Sequence, residues 1–338
     1  MTLGGLVPQK KGSSLGPKHE PKGYRIRFTV CTPTFNRVRT LPRVYESLIQ
    51  QSCQDFEWLI IDDESTDDTA EVVRQMTSRA PFPIRYFWQR HAHKKAAVNY
   101  GARMAKGEFI LIWDSDDAAP STAIGDLLAA WEGIPSQQRG SFAGVWGLCA
   151  TPAGKVIGSV FPSDVFDSDY AAIQYLYRVR GEKWGFVRTD LLRAHPYPEH
   201  IEGFVPESIV WARLGRSFKT RYINKIVRFY FDESDSLTHA RIGIARNAPG
   251  LALWAAEMLR MELRHFFCSP IQFLRAAVNL TRFRLHIQQN GDKAGLSKIT
   301  VLGRILVACL WPIGVSAYVK DVLSSWRPGT IGTRKVRA

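Results

Sequence analysis

Between residues 26 and 117 short apolar runs alternate with amphipathic stretches, the pattern of βαβ units on a largely parallel sheet. Arg27-Phe28-Thr29-Val30-Cys31 predicts a first strand, and the helix after it takes its buried stripe from Leu41, Val44, Leu48 and Ile49. Phe56 to Ile61 predicts a second strand. Ser65, Thr66, Asp67 and Asp68 then offer caps and first-turn acids to a helix with Val72, Val73 and Met76 on its apolar side. Ile84 to Trp88 predicts a third strand, followed by a helix through Ala96, Ala97, Tyr100 and Met104. Phe109 to Trp113 is apolar throughout, as a strand covered on both faces should be, and it stops abruptly at Asp114-Ser115-Asp116-Asp117.

From 118 to 238 the pattern is mixed. It predicts strands at 143–149, 155–159 and 226–231 and helices near 121–132, 169–178 and 206–215. Residues 251–287 read as two helices broken at Ser269-Pro270, with Phe273, Ala277 and Leu280 on one face and Arg275, Arg282 and Arg284 marking a basic one. Residues 305–319 carry no charge, but fifteen residues fall short of the roughly twenty a membrane-spanning helix needs, and Pro312 interrupts them. An interfacial or re-entrant segment is the expectation there. No internal repeat is visible. The expected division is a disordered basic tail over 1–25, a catalytic domain over 26–238 and a helical, membrane-associating region over 239–338.

Composition changes this picture in one respect. The content of 45% hydrophobic and 22% charged residues is ordinary for a globular chain, but the net charge of +14 is concentrated at the ends. Residues 1–25 hold five Lys or Arg against one acid and residues 239–338 fifteen against four, which leaves the middle near neutral. A basic end attracts nucleic acid or anionic lipid. The ends show no RNP, zinc or helix-turn-helix signature, so a nucleic-acid partner is not expected and a nucleic-acid-binding protein is the weaker alternative. Five scattered cysteines without a CxxC pair fit a reducing, cytoplasmic compartment, and the first 25 residues lack the apolar core of a signal peptide.

The candidate chemistry lies at the strand ends. Three carboxylates in Asp114-Ser115-Asp116-Asp117 repel one another unless a cation neutralises them, and alternation in an extended segment aims Asp114 and Asp116 the same way. In open α/β sheets ligands bind at the carboxyl ends of strands, and oxygen-only ligands suit Mg²⁺ or Mn²⁺ holding a diphosphate. A solvated turn before Pro120 is the plainer alternative. A second acidic run, Asp62-Asp63-Glu64-Ser65, ends the second strand, where an acid can accept from a ribose or a base, or cap a helix.

Cys31-Thr32-Pro33-Thr34-Phe35-Asn36-Arg37 resembles the first-strand motif of family 2 glycosyltransferases. WLIIDDESTDDT (58–69) resembles that family's second-strand motif, with Glu64 in place of Gly, and AAVNYGARMAKGEFILIWDSDD (96–117) is similar to its stretch from a helical Asn into the Asp-x-Asp-Asp motif. The resemblance implies a GT-A fold, a Rossmann-like mostly parallel sheet flanked by helices, here with a C-terminal basic, amphipathic helical extension. It implies a nucleoside-diphosphate sugar donor, commonly a UDP sugar. It assigns Pro33, Thr34, Arg37, Asp63 and Asn99 to nucleotide-sugar binding, Asp114 and Asp116 to the diphosphate and its Mn²⁺ or Mg²⁺, and Asp116 to direct metal contact. Glu207 falls where the family places its catalytic Asp, six residues before Arg213, with Glu202 as the substitute. Pro206 suits a first helical position, and the helix dipole keeps a first-turn carboxylate ionised.

Other polar residues carry more modest expectations. Lys94 and Lys95 meet phosphate or line a solvated face; His91 and His93 have no carboxylate neighbour in the sequence; His239 is a lesser metal candidate; Lys183-Trp184 belongs to a sugar pocket or to packing. The expected function is inverting sugar transfer to a glycan or lipid-linked glycan in polysaccharide synthesis, by a cytoplasmic enzyme peripheral to the inner face of the cell membrane, on an anionic surface. A catalytically inactive GT-A scaffold is the alternative.

Overall fold

The computed structural model describes residues 26–231, 244–287 and 299–325. The tail expected over 1–25 and the candidate ligand His239 lie outside them. Contacts divide the chain into two units: one runs to Glu199 and resumes over Val210–His239, and the other comprises His200–Ile209 and the chain from Ala240 on.

The first unit follows the predicted alternation. Its elements are β1 (Phe28–Thr34), α1 (Leu41–Ile49), β2 (Phe56–Asp62), α2 (Thr69–Thr77), β3 (Ile84–Trp88), α3 (His93–Met104), β4 (Phe109–Ile112), α4 (Ala123–Glu132), β5 (Phe142–Ala150), β6 (Val165–Ser168), β7 (Lys183–Arg188), α5 (Thr189–Ala194), α6 (Ser208–Leu214) and β8 (Lys219–Phe229). All eight strands join one sheet in the order β3-β2-β1-β4-β7-β5-β8-β6. The β3-β2-β1-β4 half is parallel throughout, whereas β7 enters antiparallel between β4 and β5.

Period-2 alternation in the strands sorts the core into two layers. Val30, Trp58, Ile60 and Leu111 face one way and pack with Leu41, Val44 and Leu48 of α1, Met76 of α2 and Leu127 and Trp131 of α4. Cys31, Leu59, Ile61 and Ile110 face the other way, against Ala97, Val98 and Ala102 of α3 and Leu191 and Leu192 of α5. Burying one such Leu or Ile is worth about 1.5–3 kcal/mol, so a one-residue slip of register is strongly disfavoured. Gly101 lets α3 lie close on β1, since a Cβ there would collide with the Cys31 sulfur.

Several local expectations fail. Residues 155–159 form no strand: a turn with Gly154 at φ +80° leads into a single bridge between Ala150 and Val156. The helix expected over 169–178 is present but shorter, over 170–176, and its Ala172–Leu176 part is wound as a π-helix. β7 and α5 stand where no element was expected. Trp184 of β7 is core, its Nε1 donating to the Ile112 carbonyl at 2.6 Å, whereas Lys183 Nζ donates to the carbonyls of Ser159 and Arg180 at 2.9 Å.

In the second unit α7 (Ile244–Glu257) runs into irregular turns over 258–268, and Pro270 opens α8 (Pro270–His286), so the break falls at Ser269-Pro270 as expected. Phe273, Ala277 and Leu280 are buried together. The apolar run 305–319 divides at Leu310 into α9 (Val301–Cys309) and α10 (Trp311–Ser325), bent by 60°. Pro312 does not break a helix but sits in the first turn of α10, where its missing N–H has no partner to lose. Among the described residues no single helix is long and apolar enough to cross a membrane.

Candidate active site

The site begins with a gap in the sheet. β1 pairs with β2 as far as Thr34 but with β4 only as far as Cys31. Pro33, which has no N–H to donate, therefore lies beyond the end of β4, where a ladder bond is not required. The direction in which strands are added also reverses between β1 and β4, and that is where open α/β sheets bind ligands. Thr34 stands at the tip of β1, and its buried Oγ1 has no hydrogen-bond partner, a waiting polar group.

The loops after β1 and β2 hold each other. Asn36, at φ +53°, accepts from the Thr66 amide at 2.7 Å, and Ser65 Oγ accepts from the Asn36 amide at 2.8 Å. Arg37 is placed by its own amide, which donates to Thr69 Oγ1 at 3.1 Å. Asp63 accepts from the amides of Ala92 at 2.8 Å and His93 at 2.9 Å and from Gln89 Nε2 at 2.7 Å. His91, without a carboxylate neighbour in sequence, does find one in space, its Nδ1 lying 2.9 Å from Asp63. Asp63 thus fixes the loop that opens α3, and the next residue after His93, Lys94, reaches Asp114 at 2.5 Å. The two acidic runs are linked through consecutive residues.

Around the acids of 114–117 the protein supplies its own cations. Arg228 of β8 is buried; it donates to Asp117 Oδ2 at 2.6 Å and to Asp114 Oδ2 at 2.7 Å. Arg37 stands 3.8 Å from Asp116, and Arg43 donates to the Asp116 carbonyl at 2.6 Å while stacking on Phe231 at 3.9 Å. Burial acts against ionisation of Asp114, but Lys94 and Arg228 outweigh it and hold the carboxyl well below the usual range. Asp116 is shifted up, by burial and then by the charge of Asp114, against the pull of Arg37. Burial lifts Asp117 to about 6 although Arg228 opposes it.

The charge distribution indicates what kind of ion the site suits. Both oxygens of Asp114 are taken, one by Lys94 and one by Arg228. Asp117 is held by Arg228 and by the Phe231 amide, which donates at 3.1 Å. Asp116, partly exposed, is the carboxylate least committed, and among the described residues no three His, Cys, Asp or Glu converge as a metal-ligand set. An ion held there by Asp116 would have to keep waters and take diphosphate oxygens as its other ligands, as Mg²⁺ can.

Two predicted residues have other surroundings than the sequence suggested. Asn99 is buried, and its amide is occupied by Tyr197: Nδ2 donates to that carbonyl at 2.9 Å and Oδ1 accepts from that amide at 2.9 Å. It pins α3 to the segment after α5. Glu207 belongs to the second unit, and α6 opens at Ser208, so Glu207 stands in the turn before the helix instead of in its first turn with Pro206 at the first helical position. Reading the sequence did not single out Arg228, 111 residues from Asp117, or the half-exposed ring of Phe35, 5.1 Å from the imidazole of His91.

Comparison with known proteins agrees with this geometry. The profile of the family described as Glycosyl transferase family 2 matches residues 29–138. GalNAc(5)-diNAcBac-PP-undecaprenol beta-1,3-glucosyltransferase of Campylobacter jejuni is 28% identical over 247 residues, 70% of this chain and 75% of that protein. Other curated glycosyltransferases align over about a third of their own length or less. Among solved structures, S. aureus TarS 1-349 in complex with UDP-GlcNAc superposes with a TM-score of 0.58 at 19% identity, over 88% of this chain and 81% of that one. A mannosyltransferase of Pyrobaculum calidifontis in complex with GDP-Man and Mn²⁺ gives 0.51 at 17% identity, over 89% and 88%. The fold is GT-A-like, the three sequence motifs converge on one crevice of the sheet, and over residues 29–138 the chain matches the family 2 glycosyltransferases.

Proposed function

We propose that the chain transfers a sugar from a nucleoside diphosphate, a UDP sugar by preference, to a hydroxyl of a lipid-linked glycan, with inversion at the anomeric carbon and with Mn²⁺ or Mg²⁺. The observation that carries the reading is the meeting of Asp116, Arg37 and Lys94 beside the open tips of β1 and β4, an acid for the ion and cations for phosphate. The partnerless Thr34 Oγ1 and the exposed ring of Phe35 supply polar and stacking groups for a nucleoside. An ion held by Asp116 would supply positive charge against the departing diphosphate. Arg37 and Lys94 orient the phosphates, while Arg228 keeps Asp114 and Asp117 ionised and in place.

Glu207 takes the proton of the acceptor hydroxyl as that oxygen bonds to the anomeric carbon. The bond from that carbon to the diphosphate oxygen breaks, and the nucleoside diphosphate leaves with the electron pair. A lipid-linked acceptor is supported by the undecaprenol-bound substrate in the name of the C. jejuni relative and by the basic C-terminal third. The enzyme then acts as a peripheral protein at the cytoplasmic face of the cell membrane.

Asp116→Ala tests the reading. Calorimetry with UDP, GDP and their sugars in Mn²⁺ is expected to show metal-dependent binding that the variant loses, and sugar transfer is expected to fall about a thousandfold. Unchanged binding and transfer in the variant would remove Asp116 from the ion site.

A further inference from the structure

We propose that the outer face of α9 and α10 is a docking surface for an anionic lipid bilayer, on which the pair lies flat. The proposal deepens the reading of a lipid-linked acceptor and rests on it for its purpose, but the surface is argued from its own geometry. The inner faces of both helices are fixed. Thr300 caps α9, its Oγ1 accepting from the Gly303 amide at 3.0 Å and donating to the Leu259 carbonyl at 3.0 Å. Gly314 of α10 abuts Thr281 of α8 so closely that a Cβ would collide. Asp321 accepts both arms of Arg282 at 2.6 Å and faces His286 Nε2 at 3.0 Å, and the ring of Tyr318 lies 4.7 Å from that of His286.

What remains outside is apolar. Val301, Leu302, Ile305, Trp311, Ile313 and Leu323 are 45–73% exposed, a run of large side chains that water disfavours. Together the bent pair has the length and composition of a broken span or a re-entrant loop, but neither helix has them alone. At about 1.5 Å per residue neither α9 nor α10 reaches the roughly 30 Å of a hydrocarbon core. Moreover, α10 is tied through Asp321 to α8, which exposes Arg275 and Arg284. Flat insertion buries the apolar face and places Trp311, at the bend, at headgroup level, where indoles concentrate.

Charge selects the occupant. The exposed charged side chains of α9 and α10 are Arg304 and Lys320, both basic. The sequence carries Lys293 and Lys298 just before α9 and Arg327, Arg334, Lys335 and Arg337 after α10, against Asp292 alone. A two-fold pairing of this face with a second copy would set these like charges against each other. An anionic surface gains about 1 kcal/mol from each basic residue near it.

Vesicle sedimentation of the full chain, without donor, tests this. Vesicles of equal parts phosphatidylcholine and phosphatidylglycerol are expected to pull the protein down, and pure phosphatidylcholine to do so far less. Ile305→Asp/Ile313→Asp is expected to weaken binding at least about tenfold, and Arg304→Gln/Lys320→Gln to cut the anionic preference by a few fold. All four positions are exposed; thermal melting checks that each variant is folded, and nucleotide calorimetry should be unchanged, which separates this result from failure of the transferase reading. Equal sedimentation of parent and both variants, or equal binding to the two vesicle types, overturns the proposal. So does a dimer in light scattering that Ile305→Asp/Ile313→Asp converts to monomer.

Discussion

The two units handle groups that disagree with their surroundings in opposite ways. The first draws charge inward and pairs it: Arg228 lies buried between Asp114 and Asp117, and Glu57, fully buried in β2, meets Arg85 at 3.0 Å and accepts from Thr29 Oγ1 at 2.7 Å. The second turns apolar side chains outward on α9 and α10 and keeps its polar clasp, Arg282 with Asp321 and His286, on the inside. A parallel sheet covered on both faces can hold a charge only where a counter-charge arrives on a neighbouring strand or helix. Among the described residues no second layer covers the outer side chains of α9 and α10. The difference teaches where each proposal rests: the transferase reading on the paired charges at the tips of β1 and β4, the docking proposal on the exposed apolar side chains of α9 and α10.

The comparison breaks first at Arg228. Arg228→Met leaves Asp114 and Asp117 without their buried partner and is expected to cost about 3–5 kcal/mol, read as a fall in denaturant midpoint. A variant as stable as the parent would mean that the acids are solvated and the cluster is a surface turn. Glu207→Gln asks whether the second unit takes part in chemistry. Transfer is expected to drop about a hundredfold at saturating donor while calorimetric donor affinity holds, as for loss of a general base; full turnover would confine the chemistry to the first unit.

The smallest effect is in the clasp. Burial pushes the Asp321 carboxyl up, but Arg282 and His286 more than offset this and hold it below its ordinary 3.8. A depressed folded value stabilises above the ordinary one, and that contribution is lost as pH falls below it. Asp321→Asn is therefore expected to cost about 1 kcal/mol near neutral pH and to flatten acid destabilisation below about pH 4, followed by helical circular dichroism.

Much of the crevice was legible because its signals are local. An apolar run followed at once by acids, as in Phe109 to Asp117 or Trp58 to Glu64, states both a strand and what stands at its tip. The pairing Ile84–Trp88 for β3 and the break at Ser269-Pro270 follow from period and from proline in the same way. β7 was not legible: its insertion between β4 and β5 depends on Gly144 and Gly185 allowing two backbones to approach, which no window of sequence contains. Asn99 was expected to bind the nucleotide sugar from its place in the motif, yet its amide pairs with Tyr197, 98 residues away.

By itself the sequence determined the βαβ alternation, the acids at two strand ends, the charge at the termini and the apolar character of 305–319, because each is a property of neighbours along the chain. Only the tertiary structure decided which cations answer those acids, that β1 and β4 part after Cys31, and which side chains of α9 and α10 are exposed. The physical reason is that electrostatic pairing and burial depend on distance through space, and folding sets that distance between residues that sequence separation leaves unrelated.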